Sequence, residues 1–293
     1  MPHPYPTTPS RAPARAALAS ALALPVLLLA GLPAHAAWDA LNMPVGVTPV
    51  SREVYDLHML ILAICTVIAI GTFGAMIYAL VAFRKSQGAV ADTSMTHSTM
   101  AEIVWTVGPV VILVFMAFEA APALIRIEDT RNSEMTIKIT GYQWKWEYEY
   151  LDEGVSFFSN LAADSNAARR LDAGIDPRTV DNYLLEVDTP LVVPVGVKIR
   201  YLVTANDVLH AWWVPDFAVK RDAIPGYVNE GWFQVDEPGT YRGQCAELCG
   251  KDHGFMPIVV EALPKAEFDA WLAARKAPAA TTAAVAPAAA AAP

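Results

Sequence analysis

Residues 241–260 read "YRGQCAELCGKDHGFMPIVV". Cys245, Glu247, Cys249, His253 and Met256 fall within twelve positions, yet the chain of 293 residues has only three cysteines. Strand-like runs lie on either side, "GWFQVDEPGTYRG" before and "MPIVVEAL" after. A loop that doubles back between two strands can aim all of these side chains at one point. Thiolate, imidazole and thioether together select soft or borderline metals.

Working outward, residues 126–271 carry short alternating runs separated by Gly, Pro, Asp and Asn: "MTIKIT", "WKWEYEY", "VKIRYLVT". This pattern predicts an antiparallel sandwich or barrel. In "GYQWKWEYEY" Trp144, Trp146, Tyr148 and Tyr150 share one strand face, and Lys145, Glu147 and Glu149 share the other. The plain reading is an aromatic core stripe. Residues 153–180 show no clean period and read as an irregular insertion. "AEFDAWLAARK" reads as a short amphipathic helix, and the Ala/Pro-rich tail at 272–293 as disordered.

Upstream the chemistry changes. Met59 to Phe83 holds no charged residue and exceeds the ~20 residues needed to cross a bilayer. A second apolar run, 103–125, is interrupted by Glu119 and holds Pro109 and Pro122, which membrane helices tolerate. The segment 37–125 is therefore expected to form a transmembrane hairpin. Its short loop carries Arg84 and Lys85 and should face the cytoplasm. Residues 1–36 read as a signal peptide: Arg11 and Arg15, an apolar core, and small residues before a cut after Ala36. A third membrane helix competes with that reading, but the run is broken by Pro25 and is short. Both signals put the mature termini and the domain after the hairpin outside. The formal net charge of -9 argues against nucleic acid as a partner. Residues 126–275 hold 24 acidic and 15 basic residues, and the rest of the chain six of each. The outer domain thus carries the whole imbalance, either for solubility or to steer a basic partner.

Export leaves the cysteines several fates. A Cys245–Cys249 disulfide is permitted outside the cytoplasm, but it leaves His253 and Met256 unexplained. Structural zinc seldom recruits Met. A one-thiolate blue-copper site needs a single Cys with two His and a Met. Spacing and ligand type favour copper. A second His is then required, and His210 in "NDVLHAWWVPDF" stands at a strand end where cupredoxin-type sites draw one.

"DVLHAWWVPDFAVKRDAIPG" followed by "GQCAELCGKDHGFMPIVVEA" resembles subunit II of haem–copper cytochrome c oxidases. The likeness runs through "AEIVWTVGP" and "GYQWKWEYEY" and covers roughly residues 45–265. It implies a two-helix transmembrane hairpin plus an all-β, cupredoxin-like Greek-key sandwich in a bacterial inner membrane. It also implies a binuclear copper A centre. Cys245 and Cys249 would bridge both coppers, His210 and Met256 would complete one, and His253 and the carbonyl of Glu247 the other. Two bridging sulfurs let one electron be shared over two metals, so each bond moves little on transfer. The Glu247 side chain would help bind a Mg2+ or Mn2+ ion shared with subunit I, a hard cation on a hard oxygen. The implied partners are subunits I and III, cytochrome c and membrane lipid. Trp144 matches the residue through which electrons enter, which requires a bend before Trp146. Glu149 and Asp207 match the cytochrome-docking surface, and Glu102 the entrance of a proton path. Glu119 has no assigned role, although an intramembrane carboxylate is a functional candidate. Tyr227 stands where many relatives carry Arg.

Other classes fit less well. A quinol oxidase subunit lacks the copper ligands, and nitrous-oxide reductase lacks the hairpin. A Sco-like copper-delivery protein uses Cys-x3-Cys and a distant His, but on a thioredoxin fold with alternating strands and helices. The chain has no haem-attachment CxxCH, which assigns the oxygen chemistry to another chain.

Overall fold

The computed structural model describes residues 41–276 apart from 89, 91–93 and 95. The signal peptide expected at 1–36 lies outside the described residues, as does the chain beyond 276. Contacts divide the chain after Met43, and everything below concerns the unit that starts at Pro44.

Helix α1 spans Pro49–Ala82 and α2 spans Thr99–Ile127. Each starts where the sequence provides a cap. Thr48 accepts from Ser51 N at 2.9 Å while the Ser51 hydroxyl accepts from Thr48 N, and Pro49 suits the first helical position. Ser98 caps α2. The apolar stretches of both helices are left almost wholly uncovered by protein, as lipid-facing helices must be. The helix α1 starts ten residues before the apolar run at 59–83. At 1.5 Å per residue it is about 51 Å long, against a hydrocarbon core of ~30 Å. Its first turns, with Arg52 and Glu53, therefore stand clear of the lipid. There Glu53 pairs with Arg126 in the last turn of α2, with Nε to Oε2 at 3.0 Å, which sets the two helices antiparallel.

The rest is a sandwich of ten strands. These are β1 (Met135–Tyr142), β2 (Lys145–Tyr150), β3 (Val155–Ser159), β4 (Leu191–Pro194), β5 (Ile199–Ala205), β6 (His210–Val214), β7 (Val219–Ala223), β8 (Asn229–Phe233), β9 (Gly239–Cys245) and β10 (Pro257–Leu263). One sheet has the order β3-β2-β1-β5-β8 and the other β4-β10-β9-β6-β7. This is the cupredoxin-like Greek-key arrangement. The expectation of a purely antiparallel sandwich needs correction, because β1 pairs with β5 and β10 with β4 in parallel. The long route from β1 to β5 through β2, β3 and β4 provides the crossover that a parallel pair needs. No single packed helix joins two neighbouring strands among the described residues, so the thioredoxin pattern of a copper-delivery protein is absent.

The segment at 153–180 is also more regular than its sequence indicates. Residues 155–159 form β3 on the edge of the first sheet, and helix α3 spans Ala163–Ala168. Five-residue strands and two-turn helices carry too few residues to show a period. Helix α4, Lys265–Lys276, runs past the expected start of the tail at 272, because Leu272 and Phe268 are buried against the core.

Trp146, Tyr148 and Tyr150 face the core and are fully buried, as the alternation requires. The Tyr150 hydroxyl donates to Val192 O at 2.6 Å and accepts from Val192 N at 3.1 Å, which ties β2 to β4 across the sandwich. Tyr148 accepts from the Trp212 indole at 3.3 Å. Each buried hydroxyl left unpaired would cost about 1–3 kcal/mol, so these bonds fix which way the sheets face.

Candidate metal centre

The site lies at one end of the second sheet. β6 and β9 are neighbours, with Trp212 opposite Cys245 and Trp213 opposite Gln244. That register places His210, at the start of β6, beside the end of β9. Ala246 N donates to Ala211 O at 3.0 Å and extends the ladder one step past Cys245. Residues 246–256 then double back into β10, and a short 3-10 turn, His253–Phe255, carries the second imidazole.

The donor atoms converge. Cys245 Sγ lies 3.9 Å from Cys249 Sγ, 3.9 Å from His210 Nδ1 and 3.4 Å from Glu247 O. Cys249 Sγ lies 3.5 Å from His253 Nδ1 and 3.5 Å from Met256 Sδ. His210, Cys245 and Cys249 offer ligand atoms within 4.8 Å of one another, and all three are buried. All six residues expected at the copper are thus brought together. The thiols are not bonded to each other, so the disulfide alternative does not describe this structure.

Electrostatics explains why this pair calls for a cation. Burial alone would raise the Cys245 thiol, but hydrogen bonding from His210 and nearby backbone holds it below its ordinary value. The Cys249 thiol goes the other way, pushed up to about 12 by burial and by the negative charge of Cys245. One thiolate therefore forms readily and the second resists. Cations between the two sulfurs would remove that conflict. The donor set fits copper better than zinc, because Met256 is fully buried with its sulfur turned to Cys249.

The surroundings hold the donors in place. His210 Nε2 lies 2.9 Å from Asp207 Oδ1, which leaves Nδ1 to face the sulfurs. Asp207 also accepts from the backbone N–H groups of Gln143 and Val208, each at 2.7 Å. Burial would raise its carboxyl, but these bonds overcome that and keep it below the usual carboxylate range. Gly141 backs the imidazole, and a Cβ there would sit 2.9 Å from the ring. The Trp146 indole donates to Met256 O at 3.3 Å and fixes the thioether end. Among the described residues, none bonds the other ring nitrogen of His253.

Trp144 lies outside the aromatic stripe. β1 and β2 join through a two-residue turn, Gln143 and Trp144, so the bend falls at Trp144 itself. Its indole donates to Cys249 O at 3.2 Å, beside Gln143 Nε2 at 2.8 Å. Gly250, at φ +121, is what admits them, since a Cβ there would crowd both side chains at 3.1 Å. Trp144 thus touches the backbone of a candidate ligand while its ring is half-buried at the surface.

The remaining candidates are scattered. Glu149 is on the outer face of β2, paired with Lys138 at 2.6 Å. The Glu247 side chain is exposed while its carbonyl faces Cys245. Glu102 sits in the first turn of α2, and Glu119 lies exposed two turns before that helix ends. Tyr227 is exposed after β7, near Glu128, Arg221 and Glu230. The sequence reading missed the hold of Asp207 on His210. The only signal was an acidic residue three positions before a strand-initial His.

With this geometry in hand, the comparisons with known proteins are specific. Residues 135–263 match the family described as "Cytochrome C oxidase subunit II, periplasmic domain", and residues 36–122 match its "transmembrane domain". The probable cytochrome c oxidase subunit 2 of Rickettsia bellii is 37% identical over 229 residues, covering 78% of this chain and 81% of the relative. Cytochrome c oxidase subunit 2 of Cereibacter sphaeroides is 36% identical, covering 77% of each. Among solved structures, the periplasmic domain of oxidase subunit II from Bradyrhizobium japonicum is 42% identical over 50% of this chain and 96% of that one, with a TM-score of 0.44. The chain belongs to the cytochrome c oxidase subunit II family. It is a membrane protein of a haem–copper oxidase and works with the other subunits of that complex.

The Asp207 bond generates a prediction. Asp207→Asn keeps the shape of the side chain but removes the charge that orients His210. Metal affinity should fall about 10–100-fold, the usual effect of losing such a partner. Competition with a chelator measures it, and unchanged affinity would show that His210 is held by packing alone.

Proposed function

We propose that this chain is the electron-input subunit of its oxidase. It accepts electrons from cytochrome c at a binuclear copper A centre and passes them to subunit I, which reduces oxygen to water with proton translocation. The observation that carries this reading is the meeting of two buried, unbonded thiols with His210, His253, Met256 and the Glu247 carbonyl. Cys245 and Cys249 would be shared by both coppers, with His210 and Met256 on one and His253 and Glu247 O on the other. Bound copper supplies a one-electron carrier whose charge change is spread over both metals.

The chain's own residues do the rest. Asp207 and Gly141 orient His210, and Trp146 and Met256 keep water from the inner side. Trp144 links the surface to the Cys249 backbone, which supports its role as the entry point. The exposed Glu247 carboxylate is placed to help bind a Mg2+ or Mn2+ ion with ligands from subunit I. Arg84 and Lys85 follow the end of α1 remote from the sandwich, which supports a periplasmic sandwich and periplasmic mature termini in the bacterial inner membrane. Residues 1–36 would serve as the export signal, 37–125 as the membrane segment, 126–271 as the copper domain and 272–293 as a tail. Glu149 and Asp207 each have a partner inside the domain, Lys138 and His210. Attraction of a basic cytochrome c therefore rests on the summed charge of the outer domain more than on these two acids.

Metal analysis and electron paramagnetic resonance of the copper-loaded full chain test the central point. Two coppers per chain, with hyperfine structure from one electron shared over both, are expected. Zinc, or one copper with an unshared electron, would overturn the reading. In the assembled oxidase, raising salt should slow electron entry from cytochrome c by about tenfold or more. A rate indifferent to ionic strength would remove the steering role. Glu102→Gln should lower turnover while the copper spectrum stays unchanged, and normal turnover would reject a proton-entry role for Glu102.

A further inference from the structure

We infer that Arg169 is a positioning residue for His253, acting through the turn that carries it. The inference rests on the proposed copper reading of the site. The two imidazoles are held differently. His210 has Asp207 on its far nitrogen, whereas among the described residues His253 has no such partner. The orientation of His253 must therefore come from its backbone, the short turn His253–Phe255.

That turn is gripped from outside the loop. Arg169 follows α3, in the segment whose sequence shows no period. Its guanidinium faces the Asp252 carboxylate with Nη1 to Oδ1 at 3.4 Å and Nη2 to Oδ2 at 3.5 Å. The same group lies over the Phe255 ring at 4.3 Å. Its Nε donates to Asn166 Oδ1 at 2.8 Å, so the side chain is itself held. Asp252 immediately precedes His253 and Phe255 follows two positions later. One planar cation thus meets both flanks of the ligand. A two-pronged pair combined with a ring stack is a task for Arg that Lys performs only in part. Each contact alone is modest at a half-exposed surface. Together they restrict the one segment that sets the distance from His253 Nδ1 to Cys249 Sγ, 3.5 Å in this structure. On this account the segment after β3 is a brace for the metal loop.

The test uses the full chain in detergent, loaded with copper, as wild type, Arg169→Gln, Arg169→Lys and Arg178→Gln. Arg178 lies in the same segment and pairs with exposed Asp176, away from the site, so it controls for general effects. Wild type should hold two coppers; if it does not, the copper reading itself fails and the role of Arg169 with it. Arg169→Gln should lose copper to a chelator about tenfold faster, the low end expected for a partner one step removed from a ligand. Its hyperfine pattern should change, while Arg169→Lys recovers part of the retention. Arg169→Gln matching Arg178→Gln in both spectrum and copper loss overturns the inference. If Arg169→Gln fails to fold, Asp252→Asn decides by cutting the same pair from the loop side. Faster copper loss with a wild-type melting curve then supports the brace, and wild-type retention overturns it.

Discussion

The pairing of β6 with β9 is the constraint on which the rest depends. Trp212 opposite Cys245 fixes where His210 meets the thiols, and a slip of one residue would turn His210 to the other face of the sheet. Trp212 is fully buried, bonded to Tyr148 and packed on Tyr201 and Phe233, so core and site share one register. The aromatic core therefore does more than hold the sheets together. It sets the position of a donor atom at the edge of the sandwich.

A second constraint is electrostatic. Two thiols 3.9 Å apart in a buried place cannot both ionise cheaply. The fold nevertheless surrounds them with donors and orients His210 through an ionised carboxylate. Such an arrangement makes sense only if cations are bound there, since a disulfide would need neither imidazole nor thioether. The pattern of exposure agrees with this. Met256, His210 and both cysteines are buried, while Glu247 and Leu248 between the cysteines are exposed. One short loop thus turns a backbone carbonyl inward and a carboxylate outward.

Much of this was legible in the sequence, and what was not has physical reasons. The apolar runs and the cluster Cys245, Cys249, His253 and Met256 are local patterns, so spacing alone exposes them. The alternation in residues 145–150 predicted the buried stripe for the same reason. Trp144 escaped that rule because it occupies a turn, where period two no longer applies. The parallel pairs were illegible because strand order is set by long crossovers. The extra turns of α1 were hidden because a charged helix outside the lipid has no hydropathy signal. Asp207 and Arg169 act on residues through tertiary contacts, and Arg169 meets Asp252 across 83 positions of sequence.

The membrane helices are fastened to the same strands that build the site. Val47 N donates to Asp216 O at 3.0 Å and the Thr48 hydroxyl to Phe217 O at 3.1 Å, both in the turn that ends β6. At the end of α2 the Trp232 indole donates to Arg126 O at 2.9 Å, and Lys198 Nζ donates to the carbonyls of Asp129 and Arg131. Buried bonds of this kind at both junctions remove the freedom that a linker would leave. Electron transfer falls off steeply with distance, so a carrier whose height above the bilayer varied would work at a varying rate. The cap of α1 bonds to the end of the strand whose start is His210. The path from lipid to candidate ligand is therefore one helix, one turn and one five-residue strand.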